Sequence, residues 1–438
     1  MKILKLQTLN GPNYWSIYSH RLVELRLDLE ALDTILTNEV VGFDDGLIQL
    51  LPGLATHGCV MGYPGEFLER VRSGISLAEV VEHVALELQT LAGMSVQFGR
   101  TGAAAIAGVY QVAVEYQDER VGRLAVRAAV DIVQSLCDRG EYPAQDLAQD
   151  LADLSRLGAA AKQQMAEASP GVQASIPTIA VMGRHYRTTT ARLTTHLFRY
   201  IGRGVHHTTA ASPASYIFPR TGKCVINQAA KGSTIDVTVL ETSMMDILRS
   251  GLAVDHVDVS VILDTPQIPL GFVHTVDDLM LVESVVVEAT VPQGYVVLNA
   301  DEPLIVNLAQ RASARVAYFS MNPFNPVIWE HVRQGGLVAI YEDGYLSIID
   351  GDRIMRVEQV SHVPATRHGV TPILIGETLA AMLVAYVQGI SIPNIRAALN
   401  ICSSATEPLS QPLMLGDRWS KAWSKADYPV NSSCSLRE

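Results

Sequence analysis

The sequence lacks both long hydrophobic runs and closely spaced cysteines. No apolar stretch reaches about 18 residues, the length of a membrane-spanning helix, so we expect no membrane partner. The five cysteines are scattered, without a Cys-x-x-Cys pair, which argues against a disulfide framework and a cysteine-rich zinc site and favours a reducing, cytoplasmic location. Met1 leads straight into a strand-like run, so we expect no signal peptide.

Positive charge is also scarce. The chain has 33 Lys and Arg against 45 Asp and Glu, a net charge of −12. A protein of this sign repels a phosphate backbone, so we expect no nucleic-acid partner, whereas a basic peptide or polymer remains allowed. The 438 residues suffice for two or three domains, and an apolar content of 48% is ordinary for an α/β protein.

The pattern of apolar residues predicts two domains. Residues 1–160 mix strand-like and helical stretches, which indicates an α+β domain. Residues 161–175 are rich in Ala, Gln, Ser and Gly and predict a linker. Residues 176–400 alternate strands with helices and predict an α/β domain with a mostly parallel sheet; its strands read TIAVMG, DVTVLET, VDVSVILD, GYVVLNA and RVAYFS. Residues 401–438 are expected to form a poorly ordered tail.

The first strand of the second domain leads into an altered phosphate-binding loop. Residues 176–193, IPTIAVMGRHYRTTTARL, have the strand–loop–helix frame of a P-loop, with Gly183 and Thr188 in place. Tyr186 stands where a glycine is needed, and its Cβ opposes a positive φ. Arg187 stands where a lysine is needed; it is either an anion contact or a surface arginine at a helix start. The frame predicts a nucleotide loop, and the changes predict that it is impaired.

Polar side chains follow three of the predicted strands. Glu241, Asp264 and Asn299 each fall at the carboxyl end of a strand, where open α/β sheets place their ligands. The adjacent residues His206 and His207 lack partners at ligand spacing and are expected to be a surface pair.

A predicted helix in the first domain carries a second candidate site. Glu79, Glu82 and His83 lie at positions i, i+3 and i+4, so they project from one side. One interpretation is a metal or acid/base site, in which Glu79 and His83 bind the metal and Glu82 and His83 are catalytic. The other is a capping box between Ser76 and Glu79, followed by a solvated face with one ordinary histidine.

Long stretches of the chain resemble the cyanophycin synthetases. MKILKLQTLNGPNYWSI, GEFLERV and EHVALELQTLAGMSVQFGRT resemble their N-terminal domain, and VLET, ILRSGLA, GYVVLNADEPL and VAYFSMNP resemble their Mur-ligase-like domain. The resemblance implies an α+β N-terminal domain followed by a Mur-ligase-type central α/β domain. These enzymes make a polymer with an aspartate backbone and arginine on its side chains. An ATP-grasp domain adds aspartate and the Mur-type domain adds arginine.

The chain departs from this family in several places. The resemblance implies that the ATP-grasp domain is absent between the two halves, and we expect the C-terminal lid domain of Mur ligases to be missing as well. The family residues that bind phosphate, metal or substrate are replaced at Tyr186, Arg187, Ile268, Pro269, Glu283 and Glu377. The resemblance leaves a vestigial site for ATP and Mg²⁺ at Gly183, Arg187, Thr188, Thr189, Glu241, Asn299 and Asp301.

The resemblance also bears on the N-terminal helix. In some cyanophycin synthetases this helix resembles His-x-x-Glu-His, an inverted zinc-hydrolase motif that trims polymer into primers. Glu79 replaces the first histidine here, and His57 and Cys59 are further candidate zinc ligands. The GPNYW segment, residues 11–15, is either a polymer contact or a turn that packs internally.

Three functions remain open at this point. The favoured hypothesis is a catalytically degenerate homologue that acts as a scaffold or cyanophycin-binding partner, with no certain cofactor. It would form a homo-oligomer through the Mur-like core or associate with an active cyanophycin synthetase. The alternatives are a metal-dependent cyanophycin hydrolase and a residual ATP-dependent ligase. Whether the protein is an enzyme is therefore left open.

Overall fold

The fold was analysed in a computed structural model. It describes residues 1–18, 21–167, 176–209, 216–217, 225–226, 235–266, 268, 273 and 275–402. Pro269 and all but the first two residues of the expected tail lie outside these ranges. Among the described residues, no helix has the length and apolar character to cross a membrane.

The N-terminal half is an antiparallel sheet with helices packed on it. Its strands are β1 (Lys2–Asn10), β2 (Arg21–Asp28), β3 (Gly99–Ala103) and β4 (Val109–Glu115), in the order β1-β2-β4-β3. Its helices are α1 (Phe43–Leu50), α2 (Glu66–Ser73), α3 (Leu77–Leu91), α4 (Glu119–Arg139) and α5 (Ala144–Glu167). Helices α3 and α4 pack against each other and against the sheet. The expectation of an α+β domain is confirmed.

Helix α5 extends further than the sequence suggested. It continues through Glu167, so the first part of the expected linker, 161–167, is helical. The segment KQQMAE consists of good helix formers, which favour continuation of the helix over a coil. Residues 168–175 lie outside the described residues.

The C-terminal half is built on a larger sheet. Its strands in chain order are β5 (Thr178–Met182), β6 (Val205–Thr209), β7 (Tyr216–Ile217), β8 (Val225–Ile226), β9 (Val237–Thr242), β10 (Val257–Ile262), β11 (Thr290–Asn299), β12 (Arg315–Ser320), β13 (Leu337–Glu342), β14 (Tyr345–Asp350) and β15 (Arg353–Gln359). In the described ranges, the sheet order is β15-β14-β13-β12-β11-β10-β5-β9-β6, and β7 pairs separately with β8. The seven strands from β6 to β13 in this spatial order, β6, β9, β5, β10, β11, β12 and β13, run parallel to one another. Strands β14 and β15 at the end of the sheet pair antiparallel. The predicted mostly parallel sheet is confirmed.

Helices cover this sheet. They are α6 (Arg187–Tyr200), α7 (Met244–Ser250), α8 (Val276–Glu288), α9 (Pro303–Asn307), α10 (Pro326–Arg333), α11 (Pro372–Val387) and α12 (Ile392–Ile401). The strands are buried on both faces, as parallel strands with crossover helices must be. The carboxyl ends of β5, β9, β10 and β11 therefore meet at one edge, which positions the first candidate site.

The GPNYW segment joins the two halves. Leu252 N–H donates to the Pro12 carbonyl at 2.8 Å, and a Cβ added at Gly11 would lie 2.0 Å from the Leu252 carbonyl oxygen. The Tyr14 hydroxyl is directed inward and donates to Glu24 at 2.8 Å. The segment therefore packs internally, as the second of the two interpretations proposed.

This contact predicts a large effect of adding one methyl group. Gly11 and Gly62 both have φ +77°, but Gly62 has nothing within 4 Å of an added Cβ. Gly62→Ala should cost only the strain of the left-handed conformation, about 1–2 kcal/mol. Gly11→Ala adds a backbone clash and should cost about 3 kcal/mol or more. Urea unfolding of both variants measures the difference, and equal losses would contradict the packing described.

Candidate functional site

The altered phosphate loop keeps its shape despite its tyrosine. It runs from the end of β5 through Gly183 to the start of α6, and Tyr186 immediately precedes that helix with φ 60° and ψ 0°. This left-handed conformation is the one a glycine adopts freely, and it costs another residue about 1–2 kcal/mol. The loop geometry is therefore retained against a local penalty.

A protein carboxylate occupies the loop. Asp264 follows β10, and its Oδ1 accepts the backbone N–H of Arg184 at 2.7 Å and that of His185 at 3.3 Å. Its Oδ2 lies 2.9 Å from His185 Nδ1. Backbone N–H groups at the start of a helix are the donors that bind phosphate in loops of this type. Here they are satisfied by an internal anion.

The arginine that replaces the loop lysine is directed inward. Arg187 Nη1 donates to the Gly183 carbonyl at 2.9 Å and lies 3.4 Å from the Arg184 carbonyl. Its guanidinium thus binds the backbone of the loop itself. The interpretation as a plain surface arginine is wrong, since the side chain is half-buried and holds the loop closed.

The expected magnesium ligands bond to each other. The Thr188 hydroxyl donates to Glu241 Oε2 at 2.6 Å, and His207 Nε2 lies 2.7 Å from Glu241 Oε1. These partners hold the pKa of Glu241 below its usual value against the effect of burial. The expectation of a surface histidine pair is wrong for His207, because parallel pairing of β6 with β9 brings it beside Glu241.

Two buried carboxyl groups, Glu283 and Glu377, stand at positions for which the resemblance implied a lysine and an asparagine. Burial, reinforced by Asp264, raises the pKa of Glu283 to about 8. Burial also raises the pKa of Glu377 to about 8, and the Thr189 hydroxyl opposes that shift. Glu283 is 1% exposed, and it borders a cavity of about 720 Å³ together with Asp264 and the loop. Two carboxyl groups with raised pKa values therefore lie near the loop.

The remaining residues of the expected nucleotide site serve the local backbone. Asn299 donates to the Leu263 carbonyl at 2.9 Å. Asp301 accepts from Ser320 at 2.5 Å and from the Met321 N–H at 2.7 Å. A Mg²⁺–nucleotide does not fit this arrangement, because its phosphates would have to displace the Asp264 carboxylate from the loop N–H groups.

The N-terminal candidate site lies in a cavity of about 660 Å³ beside α3. Glu79 reaches across it to Arg70, at 2.7 Å, and to Cys59 Sγ, at 3.3 Å. The Ser76 hydroxyl caps α3 by accepting the Ala78 N–H. The expected capping box is therefore wrong, since the Glu79 carboxylate turns into the cavity.

The other polar residues of this helix are buried. Glu82 and His83 are 7% and 5% exposed, so the expectation of a solvated face is wrong. Glu82 accepts the Thr101 hydroxyl at 2.5 Å, and burial raises its pKa to about 7. His83 stacks on Phe67, with ring centroids 4.0 Å apart. Burial and the neighbouring His57 lower its pKa to about 3, which keeps the imidazole neutral.

Three of these side chains fit a metal ion. The ligand atoms of Cys59, Glu79 and His83 lie within 4.8 Å of one another, and thiolate, carboxylate and neutral imidazole are the donors that Zn²⁺ takes. The structure thus brings Cys59 to the two predicted ligands. His57 instead bonds to Glu87 at 3.0 Å. To bind a metal ion as a thiolate, Cys59 would have to lose its proton. The protein opposes this loss, because burial and then Glu79 raise the pKa of the thiol to about 11.

Comparisons with known proteins match both halves. Residues 24–138 match the cyanophycin synthase-like N-terminal domain, and residues 183–349 match the Mur ligase middle domain. Cyanophycin synthetase of Trichormus variabilis is 26% identical to this chain, and the alignment covers 80% of that protein and 91% of this chain. Cyanophycin synthetase of Synechocystis sp. is also 26% identical, and the alignment covers 83% of that protein and 93% of this chain. Over both halves, this chain is similar to the cyanophycin synthetases.

The similarity to the cyanophycin synthetases comes with a large internal difference. The alignment with the Trichormus variabilis protein extends over 716 residues, whereas this chain has 438 in all. A long stretch of that relative therefore has no counterpart here. UDP-N-acetylmuramoylalanine–D-glutamate ligase of Caldanaerobacter subterraneus matches 51% of the chain and 43% of its own length at 26% identity. A solved pseudomurein peptide ligase from Methanothermus fervidus covers 58% of this chain and 55% of its own at 16% identity, with a TM-score of 0.36.

Sequence reasoning did not foresee how these residues pair. It placed Asp264 at a strand end but not in the loop, since 80 residues separate Asp264 from Arg184. It named His207 and Glu241 without connecting them. The available signal was the strand order of a parallel sheet, which makes the ends of β5, β9 and β10 neighbours.

The buried acid Glu283 predicts a pH dependence of stability. Its pKa is raised above the value of an exposed glutamate, so the stability it contributes is present at low pH and is lost as the pH rises toward about 8. Glu283→Gln, which cannot ionise, should therefore flatten the fall in unfolding free energy between pH 5 and pH 8. Glu141→Gln, at an exposed carboxyl, is the control. An unchanged slope in Glu283→Gln would show that this carboxyl does not retain its proton in the folded state.

Proposed function

We propose that this protein is a non-ligating member of the cyanophycin synthetase family that binds the arginine–aspartate polymer through its N-terminal domain. The observation that carries the first part is the Asp264 carboxylate on the loop N–H groups. Arg187 supports it, because it binds loop carbonyls instead of a phosphate.

The loss of several electrostatic contacts together supports the absence of ligation. Amide ligation through an acyl phosphate depends on cations that stabilise charge on the transferred phosphoryl group. Removing one such contact typically costs about 10²–10³ in rate. In this chain Glu283 and Glu377 are buried acids beside the loop, and Thr188 and Glu241 bond to each other.

The polymer-binding part rests on the N-terminal cavity. Glu79 and Glu82 lie in it with Arg70, and carboxylates pair bidentately with guanidinium groups such as those of the polymer. Association of two or more copies through the Mur-like core, or with an active synthetase, belongs to the same proposal.

The proposal predicts no ligase activity and no tight nucleotide binding. With Mg-ATP, arginine and cyanophycin primer, release of ADP should stay at the level of the enzyme-free reaction. An active cyanophycin synthetase assayed in parallel is the positive control. Calorimetry with Mg-ATP alone should show no binding at micromolar concentrations. Arginine-dependent ADP release above background would overturn the proposal.

A metal-dependent cyanophycin hydrolase is the second candidate. The grouping of Cys59, Glu79 and His83 favours it. A bound zinc ion would supply an activated water there. Glu82, with a pKa of about 7, could accept and return a proton near neutral pH. Arg70 counts against a cation, because it already neutralises Glu79.

The two candidates differ in a measurable way. A hydrolase should bind about one zinc ion per chain and shorten the polymer, and Glu82→Gln should lower cleavage about 10²-fold or more while leaving metal content unchanged. Cys59→Ser should lower the metal content. Polymer that binds but keeps its length in the presence of zinc, as electrophoresis would show, supports the binding protein and excludes the hydrolase.

A further inference from the structure

The strand β3 lies at an open edge of the N-terminal sheet. In the order β1-β2-β4-β3 it pairs with β4 alone. The opposite edge strand, β1, lies against α7 of the second half, where Gln7 donates to the Leu248 carbonyl. One edge of the sheet is thus covered and the other is available.

The hydrogen bonds flanking β3 determine which of its backbone groups face outward. The Phe98 carbonyl accepts from Glu115 N–H at 2.9 Å, and Ala104 N–H donates to the Val109 carbonyl at 2.8 Å. In an antiparallel pair, alternate residues make these bonds. The N–H and C=O groups of Gly99, Thr101 and Ala103 therefore point away from β4, and no described residue bonds to them.

This free edge borders the N-terminal cavity along its whole length. All five residues of β3 line the cavity. The Thr101 side chain bonds to Glu82, and Gly99 allows close approach, since a Cβ there would lie 2.4 Å from the Glu82 carboxylate. Backbone donors and acceptors thus run beside the acidic side chains of α3.

The loop of residues 58–62 forms another wall of the cavity. Gly58, Cys59 and Val60 line it, and Val60 is 73% exposed. The buried Glu66 fixes this loop by accepting the N–H groups of Cys59, Met61 and Gly62 at 2.8–2.9 Å. A chain lying between the loop and β3 would contact a preformed wall.

We propose that an extended peptide chain with basic side chains binds in this cavity by adding as a strand to the free edge of β3. Main-chain hydrogen bonds at a sheet edge are a general mode of peptide recognition. The backbone of an aspartate polymer supplies the matching N–H and C=O groups. Glu79 and Glu82 lie where side-chain cations of such a strand can reach them. The inference rests on the proposed polymer binding and specifies its geometry.

The test removes one outward N–H without touching the ladder or the acidic residues. Ala103→Pro deletes the outward N–H of residue 103, and proline is tolerated at such positions of edge strands. Ala103→Val keeps the N–H and is the matched control. The probe is a synthetic aspartate oligomer carrying arginine on its side chains. We expect its dissociation constant to rise about tenfold or more in Ala103→Pro, as for one lost hydrogen bond, and to change less than about twofold in Ala103→Val.

A second measurement keeps the wild-type protein and changes the ligand. An oligomer with N-methylated backbone amides retains its arginines but cannot donate to the outward carbonyls, so it should also bind at least tenfold more weakly. If Ala103→Pro fails to fold, as judged by its circular dichroism, this arm decides alone. Equal binding of both oligomers to wild type would overturn strand addition and leave polymer binding intact. No binding of either oligomer would overturn polymer binding as well.

Discussion

The carboxylate of Asp264 sets the electrostatics of the Mur-like half. It accepts both backbone N–H groups of the loop and lies beside His185. Without this carboxylate, those exposed donors would bind water or an external anion. Burial is the main cause that raises the pKa of Glu283 and of Glu377, and the Asp264 charge adds to it. One aspartate therefore satisfies the loop donors and reinforces the raised pKa of two neighbouring carboxyl groups.

The loop and its surroundings have changed consistently. Tyr186 keeps the left-handed geometry of the glycine it replaces, and Arg187 ties the loop carbonyls together. Thr188, Glu241 and His207 form a chain of short contacts. Unpaired polar groups are costly when buried. Thr188, Glu241 and His207 avoid this cost by bonding to one another, whereas the buried carboxyl groups of Glu283 and Glu377 have oxygen atoms without a hydrogen-bond partner among the described residues.

Much of the fold could be predicted from the sequence, because it follows from local pattern. The strands around residues 178–182 and 257–262 were recognisable from β-branched apolar runs. The structure confirms both strands. The sequence predicted an earlier end for helix α5, because residues 161–167 resembled a linker in composition, although most of them are good helix formers.

The candidate site could be predicted only in part. The changed residues of the loop were visible, since each occupies a fixed position relative to Gly183. Their partners were not, because Asp264 and His207 reach the site through strand order. The burial of the polar side chains in the N-terminal cavity was also not predicted, because it too depends on contacts between distant segments. Glu82 and His83 looked like a solvated helix face, whereas packing of β3 and the loop around Cys59 buries them.

The most direct test of the account is a calorimetric titration of inorganic pyrophosphate into the wild-type protein and into Asp264→Ala. Pyrophosphate probes the loop N–H groups without a nucleotide base. The account predicts no measurable binding to wild type and detectable, salt-sensitive binding to Asp264→Ala, because removing the internal carboxylate frees the loop donors. Binding to wild type as tight as to the variant would contradict it, since the loop would then be open to an external anion.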